Sequence, residues 1–235
     1  QLEADLLEAL KRQEFFVVYQ PKMDLQTGGL SGCEALVRWR HPTRGVLAPI
    51  EFLDMMENLG LIGQLGEFVL REACRTAVSW ARDDIHISVN VSPSQLDDPN
   101  FCEVVKCTLA ESALPAHRLE LEITEESLVK DYNSTIKTLT ALRELGVLIA
   151  VDDFGCGYTS LQYLYQFPVT RLKIDKSFVN NLMQDERARD IARSIIRMGQ
   201  EIELQVTAEG VEHKTHLNTL KSWGCDEAQG YLIAR

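Results

Sequence analysis

The sequence predicts an α/β fold built as a single (β/α)8 barrel, and three observations carry that expectation. Short apolar or β-branched runs alternate with helical stretches along most of the chain. Each run ends where a polar residue emerges. No Gly-, Ser- or Pro-rich linker and no internal repeat divides the 235 residues, a length normal for a one-domain barrel.

Residues 1–13 carry Leu2, Leu6, Leu7 and Leu10 at helical spacing and read as a lead-in helix. Residues 15–20 form a first strand, ended by Pro21, and residues 30–37 a second one after the Thr27-Gly28-Gly29 turn. That spacing is short enough for a hairpin, which allows the two strands to be antiparallel. Residues 49–59, with Pro near the start, and 63–81 are helices. A strand at 85–91, a helix at 99–112, a strand at 119–124 and a helix at 132–145 closed by Gly146 follow. The run 147–151 is unbroken, β-branched and too short for a helix, as expected of a strand buried on both faces. Gly155 and Gly157 then give the next loop its backbone freedom. A short helix at 159–165, a strand at 171–174, a helix at 185–200, a strand at 204–208, a helix at 213–222 and a strand at 227–229 complete eight strands.

Composition excludes several classes. With 45% hydrophobic residues the chain can bury a sizeable core. A net charge of −11 argues against a nucleic-acid polymer or an anionic membrane as partner, and obliges any phosphate-bearing substrate to be met by metal or by a local Lys or Arg. The six cysteines (Cys33, Cys74, Cys102, Cys107, Cys156, Cys225) never fall in C-x-x-C spacing, so thiols in a reducing cytosol are expected rather than zinc or disulfides. No apolar run approaches the ~18 residues that span a bilayer, and no signal-peptide pattern is present. The chain opens in a helical pattern without Met and stops at Arg235, so residues 1–235 are expected to be one cytoplasmic domain excised from a larger protein.

The strand ends carry the chemistry. Glu34, with Leu36 and Arg38 on the same face, marks the second strand, Asn90 the third and Glu122 the fourth. Asp152 and Asp153 mark the fifth, Lys173 and Asp175 the sixth, Glu209 the seventh and Gln229 the eighth. Barrel geometry brings these ends to one rim. Five carboxylates (Glu34, Glu122, Asp152, Asp153, Glu209) and the Asn90 amide form an all-oxygen cage suited to one or two divalent ions. Without cations such a cage costs several kcal/mol in repulsion and desolvation. Lys173 is the one base-capable cation expected at a strand end, able to hold a nucleophilic water or receive developing negative charge. The set points to metal-assisted hydrolysis of a phosphoester. Asp175 is expected to cap the turn after it or support the site, Trp39, Trp80 and Trp223 to pack, and the five dispersed histidines to have no catalytic role.

The run Glu34-Ala35-Leu36-Val37-Arg38 is the EALxR signature of the EAL domain family. The chain also resembles that family in NVSPSQ (Asn90), LEITE (Glu122, Glu125), DDFGCGYTSL (from Asp152), LKIDKSFV (Lys173), TAEGVE (Glu209, Glu212) and QGYL (Gln229), in the family's order and over essentially the whole chain. The resemblance implies a modified TIM barrel with its first strand antiparallel. It implies hydrolysis of cyclic di-GMP to linear pGpG with Mg²⁺ or Mn²⁺. Glu34, Asn90, Glu122 and Asp152 would hold one ion; Asp152 would bridge to a second, with Asp153 and Glu209 on that side or bound through water. Lys173 would position the attacking water, with Glu34 and Glu209 also in the catalytic set. Leu36 and Arg38 would contact substrate, Arg38 through a phosphate oxygen that suits its planar fork, and Gln229 would support the site. Glu125 would steady the loop 154–160, which in the family lies near a homodimer interface, and Glu212 would support its own loop. Sensory or GGDEF-type domains are the implied regulatory partners. Cys156 and Thr159 depart from the usual Thr and Ser of that loop; both changes are small, and a thiol there would add oxidant sensitivity. The rival expectation is a silent EAL domain that binds cyclic di-GMP or a partner protein without cleavage, marked by loss of a ligand or of the Lys. A barrel hydrolase for another phosphodiester explains the cage but not Arg38 with Leu36.

Overall fold

The chain enters through α1 (Leu2–Ala9) and builds an antiparallel hairpin from β1 (Phe15–Asp24) and β2 (Leu30–His41). The computed structural model describes residues 2–130, 132–157 and 161–234. After the hairpin come a flap strand β3 (Gly45–Leu47), a 3₁₀ turn (Pro49–Glu51), α2 (Leu53–Asn58) and α3 (Ile62–Ser79). From β4 (His86–Val91) the chain alternates: α4 (Pro93–Leu96) and α5 (Phe101–Ser112), β5 (Leu119–Thr124), α6 (Ser127–Lys130) and α7 (Tyr132–Glu144), β6 (Leu148–Phe154), α8 (Leu161–Gln166). It ends with β7 (Arg171–Ile174), α9 (Lys176–Asn180), α10 (Glu186–Glu201), β8 (Gln205–Ala208), α11 (Lys214–Ser222) and β9 (Glu227–Gln229).

Eight of these strands close into a barrel. β2, β4, β5, β6, β7, β8 and β9 run parallel, and β1 completes the cylinder antiparallel to both β2 and β9, while β3 hangs on the far side of β2. The alternation along β5 shows why the barrel forms. Leu119, Leu121 and Ile123 face the apolar layer under the helices, while Glu120 and Glu122 turn inward to basic residues of other strands. A second, smaller core gathers Leu6, Phe15, Trp39, Leu47, Phe52 and Met56, with the Phe15 and Trp39 rings stacked at 5.7 Å. It ties α1, α2 and β3 to the protruding end of the hairpin.

Several expected boundaries move. β1 continues through Pro21 to Asp24, because its pairing with β9 begins only at Lys22 and proline is tolerated where a strand edge is unpaired. β2 continues past residue 37 to His41 because β3 extends the ladder, so Glu34 sits mid-strand rather than at its end. Residues 49–59 divide at Phe52, whose φ of −142° is not helical. The lead-in helix stops at Ala9, and Gln13 turns the chain with φ 55°. The helix expected from 159 is seen over Leu161–Gln166; positions 158–160 lie outside the described residues. No helix among the described residues is long and apolar enough to cross a membrane.

Candidate active site

The carboxyl end of β6 sets the site. Between Val151↔Leu172 and Phe154↔Ile174 the β6–β7 register slips, so Asp152 and Asp153 together oppose Lys173 alone. Such a bulge re-aims side chains, and Asp153 takes the left-handed conformation, φ 53°, that few residues other than glycine adopt. One carboxylate oxygen from each of Asp152, Asp153 and Glu209 lies within 4.8 Å of the others.

Lys173 sits beneath them with no exposed surface. Its ammonium lies 2.5 Å from Glu122 Oε2, 2.6 Å from Glu209 Oε1, 3.1 Å from Asp152 Oδ2 and 3.9 Å from Glu34 Oε2. Burial works against its charge, but these four carboxylates more than compensate and hold its pKa well above the usual lysine range. Glu34 accepts from Asn90 Nδ2 at 2.7 Å and from Gln229 Nε2 at 2.6 Å. Gln229 also donates to Gln20 at 2.7 Å, and its buried Oε1 has no hydrogen-bond partner among the described residues.

Electrostatics divides the carboxyls. Burial pushes Glu34 up, and burial with the neighbouring Asp152 and Glu34 charges pushes Glu209 up to about 8. Asp153 rises to about 6, from burial and then from Asp152 and Asp175. Glu122 is lowered: burial opposes its charge, yet Lys173 and Lys22 flank it and win. A rim with more anions than its one ammonium can balance, plus a buried orphan oxygen, has the donor chemistry of a hard-cation site.

The structure thus brings Glu34, Asn90, Glu122, Asp152, Asp153, Lys173, Glu209 and Gln229 together. Leu36 borders one cavity with Asn90, Glu122 and Asp153, and with Arg38 it lines another of about 530 Å³, where Arg38 donates to the Val37 carbonyl at 2.8 Å. Gln20 and Tyr231 are shared between that cavity and one of about 460 Å³ lined by Glu34, Asp152, Glu209 and Gln229, which Glu212 also borders. Glu125 lies one turn away, where its Oε2 accepts from the backbone N–H of Gly155 at 3.0 Å and Gly157 at 3.1 Å. A Cβ on Gly157 would stand 2.9 Å from that carboxyl, so a side chain there would displace Glu125 from this backbone. Asp175 caps α9 through Ser177 N and accepts from Cys156 Sγ at 3.4 Å. Burial and Asp175 push the Cys156 thiol up, which disfavours the reactive thiolate.

Sequence reasoning missed Lys22. Lys173 is not alone, because Lys22 reaches in from β1 and pairs with Glu122 Oε1 at 2.6 Å. It also missed a buried layer beneath the rim, in which Arg171 pairs with Glu120 and Glu227, both at 2.7 Å. The signal was available: Ser88, Glu120, Arg171 and Glu227 each stand two residues before a rim residue of the same strand, hence on the same face, and Thr207 stands two before Glu209, just past the end of its strand.

The sequence model of the EAL domain matches residues 3–235. The chain belongs to the EAL domain family. It is 41% identical over 238 residues to the cyclic di-GMP phosphodiesterase NbdA of Pseudomonas aeruginosa, covering 100% of this chain and 30% of that protein. An uncharacterized signaling protein of Caulobacter vibrioides is 44% identical, with 100% of this chain and 29% of that one covered. This chain therefore spans about a third or less of the length of these relatives. Among solved structures, the PaMucR phosphodiesterase in complex with c-di-GMP superposes with a TM-score of 0.97 at 39% identity, covering 100% of this chain and 96% of that one. The FimX EAL domain of Pseudomonas aeruginosa bound to c-di-GMP gives 0.89 at 26% identity, covering 97% and 93%. The modified barrel expected from the EALxR resemblance, with its first strand antiparallel, is the fold observed.

Proposed function

We propose that this domain hydrolyses cyclic di-GMP to linear pGpG in a reaction that depends on Mg²⁺ or Mn²⁺. The observation that carries the reading is the complete rim, in which four carboxylates surround the buried Lys173 ammonium, with Asp153 beside them, next to a cavity of about 460 Å³. In this reading Glu34, Asn90, Glu122, Asp152, Asp153 and Glu209 hold one or two ions, which when bound supply Lewis-acid charge at the scissile phosphate and lower the pKa of water. Lys173, kept as an ammonium by its carboxylates, donates a hydrogen bond to the attacking water and fixes its direction. Gln229 keeps Glu34 turned into the site through Nε2. Arg38 offers its fork to a phosphate oxygen, Leu36 packs on the substrate, and exposed Tyr231 presents an aromatic face to a purine. Glu125 holds the Gly155–Gly157 backbone that follows the two aspartates, and Glu212 supports the loop after β8.

The same reading places the domain in the cytoplasm as a homodimer under the control of attached sensory or GGDEF-type domains; the fraction of the relatives' length that it covers supports such partners. The test is incubation with cyclic di-GMP and Mg²⁺ or Mn²⁺, with an EDTA control, followed by chromatography. Metal-dependent pGpG is expected. Tight binding with no product in either metal would replace the enzyme with a sensor.

A further inference from the structure

Lys22 is fully buried, and its ammonium reaches three acceptors: Ser88 Oγ at 2.6 Å, Glu122 Oε1 at 2.6 Å and Glu120 Oε1 at 3.0 Å. All three acceptors are themselves buried protein groups, so Lys22 has no contact with substrate or solvent. Its target Glu122 is equally buried and is gripped from both sides, Oε1 by Lys22 and Oε2 by Lys173 at 2.5 Å. The antiparallel course of β1 makes this possible. Gln20 and Lys22 share one face of the strand; Gln20 meets Gln229 at the rim, and Lys22 points to the layer below.

Lys22 joins the two layers. Glu120 and Glu122 are two residues apart on the same face of β5, and both are ionised and buried. Lys22 is the cation that touches both; of these two glutamates Arg171 reaches Glu120 and Lys173 reaches Glu122. Removing its charge leaves Glu122 with one partner, free to swing toward Lys173 and to draw that ammonium away from Asp152 and Glu209.

We infer that Lys22 is a positioning residue of this site: by clamping Glu122 Oε1 from beneath, it fixes the Glu122–Lys173 pair on which the geometry of the cation-binding carboxylates depends. The inference rests on the proposed reaction for its kinetic part only, because cation binding reports on the same geometry without substrate.

The test uses the whole 235-residue chain. Lys22→Met keeps the length of the side chain and removes the charge. Lys22→Met/Glu120→Gln removes one charge of each sign and so preserves the balance of the buried layer. Mn²⁺ affinity is read without substrate from the free-ion resonance signal, alongside melting temperature and the kcat and KM for cyclic di-GMP. Residues that orient metal ligands typically contribute about 10–100-fold in affinity or activity. Both variants are expected to bind Mn²⁺ and turn over substrate about 10–100-fold less well, with KM little changed. A folded Lys22→Met with wild-type Mn²⁺ affinity and kcat overturns the inference. So does recovery of both quantities in the double variant, which would make Lys22 a matter of charge balance. Failure of both variants to fold would make it a residue of the fold and overturns it too. If the unaltered domain yields no pGpG, the proposed reaction fails, while the Mn²⁺ comparison still decides the role of Lys22.

Discussion

Two charged layers lie inside one barrel, a step of two residues apart on the same strands, and they are built to opposite rules. In the lower layer Arg171 pairs with Glu120 and Glu227 and Lys22 with Glu120, and Ser88, Thr207 and Gln205 add hydrogen bonds to them. Two cations meet two anions and the charge closes. In the upper layer Lys173 faces Glu34, Glu122, Asp152 and Glu209, with Asp153 beside them, and the charge stays open. A buried network that closes on itself fixes a barrel; one that is left open invites a ligand of the missing sign. Burial is therefore the wrong quantity by which to rank these residues, since Glu120 and Glu122 are equally hidden. Charge balance separates them.

The largest effect that would break this contrast comes from the open layer. Asp152→Asn removes one excess anion, and kcat/KM for cyclic di-GMP should fall at least about 100-fold, as loss of a ligand typically exceeds loss of its support. Metal-free stability should hold or rise, because repulsion is relieved. A melting temperature that drops sharply would show the upper layer to be as closed as the lower. The reverse is expected below it. Arg171→Met leaves Glu227 with no cation and Glu120 with Lys22 alone, and should cost about 3–5 kcal/mol in urea unfolding. A variant of unchanged stability but no activity would move Arg171 into the site. Arg38→Ala should act on neither layer: KM should rise about 10–100-fold, the worth of one or two charge-assisted hydrogen bonds, and a pure loss of kcat would place Arg38 in the chemistry.

The open layer was the legible one. Its residues sit in EALxR, NVSPSQ, LEITE, DDFG and LKID, where single polar residues interrupt apolar runs and so stand out. The closed layer hides in the same motifs, because Glu120 and Arg171 look like ordinary strand-start charges until the pleat is followed back two positions. Lys22 was harder still. It lies beyond Pro21, where a strand is expected to end, and it belongs to the one strand of the closed barrel that runs the other way. The parallel strands could be read from their unbroken apolar runs. The flap β3 could not, since three residues carry no periodicity, and neither could the bulge that pairs Asp152 and Asp153 against Lys173, because register is set by the neighbouring strand rather than by the run itself.

The smallest effect sharpens the comparison at the floor of the closed layer. His86 on β4 is largely buried, and its Nε2 has no hydrogen-bond partner among the described residues; it lies against Gly32 of β2, whose missing side chain leaves room for the ring. Glu120 of β5 lies 3.7 Å away and Glu227 of β9 4.0 Å away, with Lys22 of β1 and Arg171 of β7 nearby. Burial lowers its pKa, with Lys22 and Arg171 adding to the shift and the two glutamates, already engaged by those cations, opposing it without prevailing. The folded protein therefore keeps His86 neutral where the unfolded chain, titrating near ~6.5, takes up a proton. Stability from this residue is present above that value and is lost as pH falls from it toward the lower folded pKa. Urea midpoints measured from about pH 7.5 down to about pH 5.5 should fall more steeply for the wild-type chain than for His86→Gln. Other groups titrate in both proteins, so the difference between the two curves is the readout. Parallel curves would mean that the floor accepts a proton as readily as water does, and that the lower layer has charge to spare after all.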